Sequence, residues 1–200
     1  MRAALGLETL GVIGAIDDPE RLIPVATDPR TPVSEAYRVL RTNIRYAALD
    51  APLRTILVTS PGPTEGKSVT VANLAATMAE AGLKVVTVDA DLRRPRQHHL
   101  FELEREPGLT DALLAGRLDG QVRPTMYVGQ LGVLPAGELP PNPAEVLGSA
   151  RMGELLARLA EKADVVIVDS PPSLPVTDAA VLARQVDAVL LVLDAGKTRR

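Results

Sequence analysis

Short hydrophobic runs alternate along the chain with amphipathic segments of helical period. They predict strands at 55–59, 84–89, 132–134, 164–169 and 188–193. Most of these are continuous apolar runs, which are typical of strands buried on both faces of a parallel sheet. Helices are predicted at 32–46, 67–81, 109–114, 143–147, 151–162 and 176–184. This βα alternation predicts an α/β fold in which helices flank a parallel sheet on both faces and ligands bind at the carboxyl ends of its strands.

Length and composition suit one packed domain. The chain has 200 residues, 46% of them hydrophobic, enough to bury a sizeable core. Residues 1–31 mix apolar pieces with turn signals and are predicted to be a lead-in segment; the packed domain is predicted at 32–200. The apolar runs fall far below the roughly 20 residues that cross a bilayer, and there is no cysteine. A cytoplasmic chain is therefore expected.

The net charge of −3 gives no general case for a nucleic-acid partner. Chemistry is instead indicated at the turn after the first strand, which ends in Gly66, Lys67 and Ser68. Successive N–H groups of such a turn, with a helix end behind them, form a concavity for phosphate. Lys67 would reach the outer phosphates, and the Ser68 hydroxyl would ligate Mg²⁺. The residues predicted to bind ATP are Gly62, Pro63, Thr64, Glu65, Gly66, Lys67, Ser68 and Val69.

The motif match has one departure, because Pro61 stands where the usual phosphate-loop pattern has its first glycine. The alternative is an ordinary strand-to-helix turn with an exposed lysine. Two later strand segments argue against that alternative, since Asp89 and Asp91 follow one and Asp169 ends another. Buried carboxylates need a partner, and a magnesium nucleotide supplies one. The competing interpretation of each aspartate alone is a helix cap or turn residue.

With these residues in place, the chain resembles the bacterial tyrosine kinases, or BY-kinases, the cytoplasmic catalytic domains of capsule and exopolysaccharide production systems. The likeness runs from about residue 32 to 197 and covers a Walker A segment at 62–68, a Walker A′ segment at 88–95 and a Walker B segment at 165–172. The resemblance implies a P-loop NTPase-type sheet and an ATP- and Mg²⁺-dependent protein-tyrosine autokinase.

The resemblance also implies residue roles. Lys67 and the loop amides hold the phosphates, while Ser68, Asp91 and Asp169 organise Mg²⁺ directly or through water. Asp89 or Asp91 accepts the tyrosine proton, with Asp89 preferred. The neighbouring Arg93, Arg94 and Arg96 are candidates to hold phosphate or an acidic activator, or else are surface residues.

Glu35, Arg38 and Arg41 fit a family pattern linked to packing of subunits into a ring. They recur every three residues and so line one helix face; a solvated charged face is the alternative. The implied partners are further copies of the chain, a membrane polysaccharide co-polymerase that activates it, and a tyrosine-bearing protein substrate. The chain is expected at the inner face of the membrane through such a partner.

The family continues past the last predicted strand with a further helix and strand, so the C-terminal end of the domain is expected to be truncated. Two other functions remain open. One is a ParA- or MinD-like ATPase switch, whose loop carries an early signature lysine where this chain has Gly62. The other is a non-catalytic nucleotide-binding scaffold of the same polysaccharide system.

Overall fold

The computed structural model describes residues 6–16, 22–49, 52–118, 120–196 and 198. The helices are α1 (Pro24–Thr27), α2 (Pro32–Ala47), α3 (Lys67–Glu80), α4 (Gln97–Leu100), α5 (Leu109–Ala115), α6 (Pro143–Leu147), α7 (Ala150–Lys162) and α8 (Asp178–Leu182), the last followed by a 3-10 turn at Ala183–Gln185. The strands are β1 (Thr55–Thr59), β2 (Val85–Asp89), β3 (Arg123–Pro124), β4 (Leu131–Leu134), β5 (Val165–Asp169) and β6 (Ala188–Leu191).

The strands form one six-stranded sheet in the order β3-β4-β2-β5-β1-β6. All neighbours pair in parallel except the short edge strand β3, which is antiparallel to β4. In the register of the central strands, Asp89 lies opposite Asp169, and Asp169 lies opposite Val58. The carboxyl ends of β1, β2 and β5 therefore meet at one edge of the sheet.

Successive residues of the central strands supply two separate hydrophobic clusters. Ile56, Val58 and Ile167 pack in a cluster with α2 and α3, while Leu57 and Val166 pack in a second cluster with α5, α7 and α8. Because neighbouring residues in a strand point to opposite faces, both faces of the sheet are covered. The predicted sheet with helices on both faces is confirmed.

The boundaries differ from the predictions mainly at the end of the chain. The strand predicted at 188–193 ends at Leu191, and the helix predicted at 176–184 is a five-residue helix followed by the 3-10 turn. Helix α4 and strand β3 were not predicted, because four and two residues are too few for a periodic signal. None of the helices in the described ranges is both long and apolar enough to cross a membrane.

Packing extends upstream of Pro32, where the sequence predicts the packed domain to begin. Ile23 and Val25 are 4% and 0% exposed and belong to the same cluster as α2 and α3. The Val25 N–H donates to Asn73 Oδ1 at 3.3 Å, and Asn73 Nδ2 donates to the Leu22 carbonyl at 2.8 Å. Residues 22–25 thus pack onto the domain and are hydrogen-bonded to α3.

Candidate nucleotide and magnesium site

The loop between β1 and α3 has the backbone of an anion-binding turn. Gly66, directly before α3, has φ +86°, a left-handed conformation that favours glycine. Among the described residues no side chain caps the first turn of α3, so its N–H groups remain available to a ligand. The Gly62 N–H donates to Glu65 Oε1 at 3.1 Å. A carboxylate of this chain therefore lies on one of the N–H groups predicted to bind phosphate.

Lys67 is the first residue of α3 and pairs with Asp91. The distance from Lys67 Nζ to Asp91 Oδ2 is 3.0 Å, and the two side chains are 11% and 3% exposed. The other carboxylate oxygen of Asp91 accepts the backbone N–H groups of Arg93 at 3.3 Å and Arg94 at 2.9 Å. The lysine predicted for phosphate and an aspartate predicted for magnesium are thus brought into direct contact.

Asp89 and Asp169 are fully buried at adjacent strand ends. Asp89 Oδ2 accepts the N–H groups of Arg96 at 3.0 Å and Gln97 at 2.9 Å. Burial, reinforced by the charge of Asp169, holds the pKa of Asp89 well above its ordinary value. Burial also raises the pKa of Asp169 to about 6, against the opposing effects of the Lys67 charge and of the neighbouring Gln97 and Ser68 side chains. Two carboxyl groups with raised pKa values therefore lie side by side.

Two carboxylate oxygens at the strand ends are suited to bind a cation. Asp89 Oδ1 and Asp169 Oδ1 are both buried and have no hydrogen-bond partner within the described part of the chain. Buried polar atoms without partners call for an explanation, and a hard cation is one. No group of three or more His, Cys, Asp or Glu in those residues has a metal-binding arrangement. Besides Asp91 and Asp169, the Ser68 hydroxyl, nucleotide phosphates and water would supply ligands of Mg²⁺, which suits the coordination that Mg²⁺ prefers.

Two side chains of the site were not singled out from the sequence. Gln97 Nε2 donates to the Ser68 carbonyl at 3.0 Å and to Asp169 Oδ2 at 2.8 Å. Asp178, whose side chain is fully buried at the start of α8, accepts Arg93 Nε at 2.8 Å and Nη2 at 3.0 Å. Both contacts join residues far apart in sequence, so no local pattern reveals them.

The pairing with Asp178 changes the interpretation of one of the three arginines at 93, 94 and 96. Arg93, a candidate for phosphate or an acidic activator, instead braces the segment after β2 against α8 through two hydrogen bonds. Such a bidentate pair has a defined geometry. Arg94 and Arg96 are exposed and keep their status as candidates for an acidic ligand.

The predicted interface residues lie on α2, beside the C-terminal end of α3 and hence at the far end of that helix from Lys67. Arg41 Nη1 donates to the Thr77 carbonyl at 2.9 Å. Arg38 donates to the Pro29 carbonyl at 2.8 Å, to Glu35 at 3.3 Å and to Glu80 at 3.5 Å. The two arginines therefore make contacts within the chain, whereas the Glu35 side chain is 68% exposed.

The chain is similar to a known class of nucleotide-binding domains. The CobQ/CobB/MinD/ParA nucleotide binding domain matches residues 56–187, more than half of the chain. The MinD septum-site protein of Pyrococcus horikoshii, solved with Mg-ADP, covers 70% of this chain and 57% of its own at a TM-score of 0.58 and 24% identity. That likeness shows the fold alone. The chain is a P-loop nucleotide-binding domain.

Two further relatives define the family within that class. Tyrosine-protein kinase YwqD of Bacillus subtilis is 42% identical over 181 residues, which cover 90% of this chain and 76% of YwqD. The kinase domain of Escherichia coli tyrosine kinase ETK has a TM-score of 0.90 and 32% identity, covering 97% of this chain and 81% of its own. The chain belongs to the bacterial tyrosine kinase family.

Proposed function

We propose that this chain is an ATP- and Mg²⁺-dependent protein-tyrosine kinase that regulates the synthesis and export of capsular or exopolysaccharide chains. The observation that carries the proposal is the meeting of Lys67, Asp89, Asp91 and Asp169 at one edge of the sheet, where Asp89 and Asp169 each have an oxygen without a partner in the described ranges. Family membership supports tyrosine as the acceptor. The polysaccharide system is the setting that the resemblance implies.

Phosphate binding follows from the loop and Lys67. The N–H groups at the start of α3 and the loop amides hold the phosphate oxygens, and Lys67 moves its ammonium group from Asp91 toward the outer phosphates. Ser68, Asp91 and Asp169 hold the magnesium ion, directly or through water. When bound, the ion offsets charge on the phosphates. These assignments agree with the burial and contacts of the side chains.

Asp89 is proposed as the proton acceptor. The tyrosine hydroxyl has a pKa near 10, so a carboxyl group with a raised pKa is better matched to it than an ordinary one. Asp89 Oδ1 takes the proton, the tyrosine oxygen forms a bond to the γ-phosphorus, and the bond from that phosphorus to the bridging oxygen breaks to release ADP. Asp91 is the alternative base, but its Oδ1 is held by two backbone N–H groups and its Oδ2, once Lys67 has moved, is assigned to magnesium.

The acceptor tyrosine is expected on a separate chain. Tyr37 is 2% exposed, and burial raises its pKa to about 12, so its hydroxyl is not available to a kinase site. Tyr46 is 67% exposed on the same helix and is the acceptor to consider on a neighbouring copy. A ring of copies, an activating membrane co-polymerase and a location at the inner membrane face complete the proposal.

Incubation of the purified protein with Mg²⁺ and labelled ATP tests the proposal, with an added tyrosine-rich peptide and mass spectrometry for phosphotyrosine. Lys67→Met is expected to abolish the label, a loss of at least about a hundredfold given the size of such electrostatic effects. Lys84→Met is the matched control, because Lys84 is an exposed residue remote from the loop. Nucleotide binding without phosphotyrosine would favour the scaffold or the ATPase switch. Labelling of Lys67→Met equal to that of the wild type would refute the assignment of the site.

A further inference from the structure

Gln97 connects three parts of the candidate site. It is the first residue of α4 and is fully buried. Its backbone N–H donates to Asp89 at the end of β2, and its side-chain amide donates to Ser68 at the start of α3 and to Asp169 at the end of β5. The Walker A, A′ and B segments are therefore linked through one residue.

The chemistry of these partners sets the orientation of the amide. The Ser68 carbonyl and the Asp169 carboxylate both accept hydrogen bonds, so the NH₂ group has to face them. The bonds are 3.0 and 2.8 Å long, within the range of well-formed hydrogen bonds. Asp169 therefore has one oxygen fixed by Gln97, while its other oxygen, Oδ1, is buried and has no partner among the residues that the structure describes.

Core packing alone does not account for a glutamine at this position. Its Oε1 atom is buried without a hydrogen-bond partner among the described residues, and such an atom costs stability that an apolar side chain of the same shape avoids. That cost is offset by what Gln97 provides, a defined orientation of Asp169 and of the first turn of α3. Residues that orient ligands in this way commonly alter metal affinity or activity about 10- to 100-fold when they are replaced.

We infer that Gln97 is a positioning residue, whose side-chain NH₂ group holds Asp169 and the Ser68 turn in the arrangement that receives a magnesium nucleotide. The inference rests on the proposed nucleotide site and names a residue that acts through Asp169 and Ser68. It predicts a specific defect. Binding of ADP without magnesium uses the loop amides and is retained, whereas the gain in affinity that magnesium brings is lost.

The test is calorimetric titration of ADP in Mg²⁺ and in EDTA, with the ratio of the two dissociation constants as the readout. Gln97→Met keeps an unbranched side chain and the backbone N–H but removes both side-chain donors. It is expected to reduce the magnesium-dependent gain about tenfold or more and to leave ADP affinity in EDTA within about threefold. Gln97→Glu loses the same donors and turns an acceptor oxygen toward the Ser68 carbonyl and Asp169 Oδ2, so it is expected to reduce the gain as well.

Gln185→Met is the matched control. Gln185 is half-buried, its Nε2 donates to the carbonyls of Leu147 at 2.8 Å and Val181 at 3.2 Å, and its Oε1 is unpartnered. The same substitution there removes two hydrogen bonds of a glutamine outside the site. It is expected to lower the melting temperature without changing the magnesium-dependent gain.

An unchanged gain in folded Gln97→Met and Gln97→Glu would overturn the inference. So would a parallel fall of affinity in Mg²⁺ and in EDTA, a failure of both variants to fold, or a wild type with no gain from magnesium. The proposed kinase activity is judged separately from wild-type phosphotyrosine. A wild type that binds Mg-ADP but transfers no phosphate would reject the kinase, while selective loss of the magnesium gain in the variants would still support the positioning role.

Discussion

At the residue scale, the site combines two kinds of aspartate. Asp91 pairs with Lys67 and accepts two backbone N–H groups, whereas Asp89 and Asp169 lie side by side with raised pKa values. Crowding buried carboxylates costs stability in the absence of a cation. The same crowding prepares the site for Mg²⁺, because a cation relieves it.

The burial of Asp169 predicts that the stability of the folded chain depends on pH. Burial raises its pKa from 3.8 to about 6, so the unfolded chain ionises first as the pH rises. This group therefore reduces the stability of the folded chain progressively between about pH 4 and pH 6, by up to about 3 kcal/mol. Asp169→Asn has no carboxyl group to ionise at this position and removes this loss of stability. Without nucleotide, its melting temperature should match the wild type near about pH 4 and exceed it at about pH 8.

The measurement is a series of thermal unfolding scans of both proteins in EDTA, which excludes stabilisation by bound metal. A difference in melting temperature that stays constant across the pH range would contradict the raised pKa. A variant that is less stable at about pH 8 would show that the hydrogen bonds to Asp169 outweigh its burial. In either case the variant is expected to lose the phosphotransfer proposed for the wild type.

At the element scale, helix α2 has an unexpected attachment. The ring pattern of Glu35, Arg38 and Arg41 predicts an outward-facing row of charges, but Arg41 binds the Thr77 carbonyl near the end of α3. A cation there satisfies one of the last carbonyls of the helix and interacts favourably with its negative end. Arg41 therefore contributes to the fold of one chain whatever it contributes to a ring.

Arg41→Ala and Glu35→Ala distinguish a contribution to the fold of one chain from a contribution to a ring of chains. Arg41→Ala is expected to lower the free energy of unfolding by about 1–2 kcal/mol, because it removes a charged donor from a half-buried carbonyl contact. Glu35→Ala changes an exposed side chain and should stay within about 0.5 kcal/mol of the wild type. Urea unfolding of dilute protein measures both values.

Light scattering at higher concentration then measures assembly. If the row forms a ring interface, Glu35→Ala should lower the mean mass with its stability intact. An unchanged mass in Glu35→Ala and in Arg41→Ala would reject the ring interface. Equal stability of Arg41→Ala and the wild type would instead reject the docking role described for Arg41.

At the scale of the whole molecule, the sheet, covered by helices on both faces, brings distant segments to one edge. Residues 23–25 also pack against the cluster on one of its faces. Val25 is fully buried against the cluster that includes α2 and α3. Its backbone is tied to Asn73, which lies on the helix that begins with Lys67. Residues 23–25, which the sequence assigns to a lead-in, therefore help to support the phosphate-loop helix.

Val25→Ala is expected to lower the free energy of unfolding by about 2 kcal/mol, since it deletes two buried methyl groups from a packed site. Val12→Ala is the matched control, because Val12 is 83% exposed and loses the same atoms to solvent. Denaturant unfolding of the two variants gives the comparison. Equal stabilities would place the start of the packed domain back near Pro32.

Local sequence was enough to predict the class of fold, the family and the residues expected at the centre of the site. Buried parallel strands leave continuous apolar runs, and a phosphate loop needs Gly66, Lys67 and Ser68 as neighbours, so these features are written in local order. The strand-end aspartates were predicted for the same reason. Their assigned roles in binding ATP, holding magnesium and accepting a proton stay predictions.

The way these groups are held follows from long-range contacts that no local pattern in the sequence contains. The Lys67–Asp91 pair, the Arg93–Asp178 brace, the contacts of Gln97 and the docking of Arg41 each join residues separated by tens of positions. Such contacts depend on which strands are neighbours and on how the helices cover them, and neither is a local property of the chain. The pKa values of Asp89 and Asp169 belong with them, since burial and mutual approach arise only when the sheet has formed.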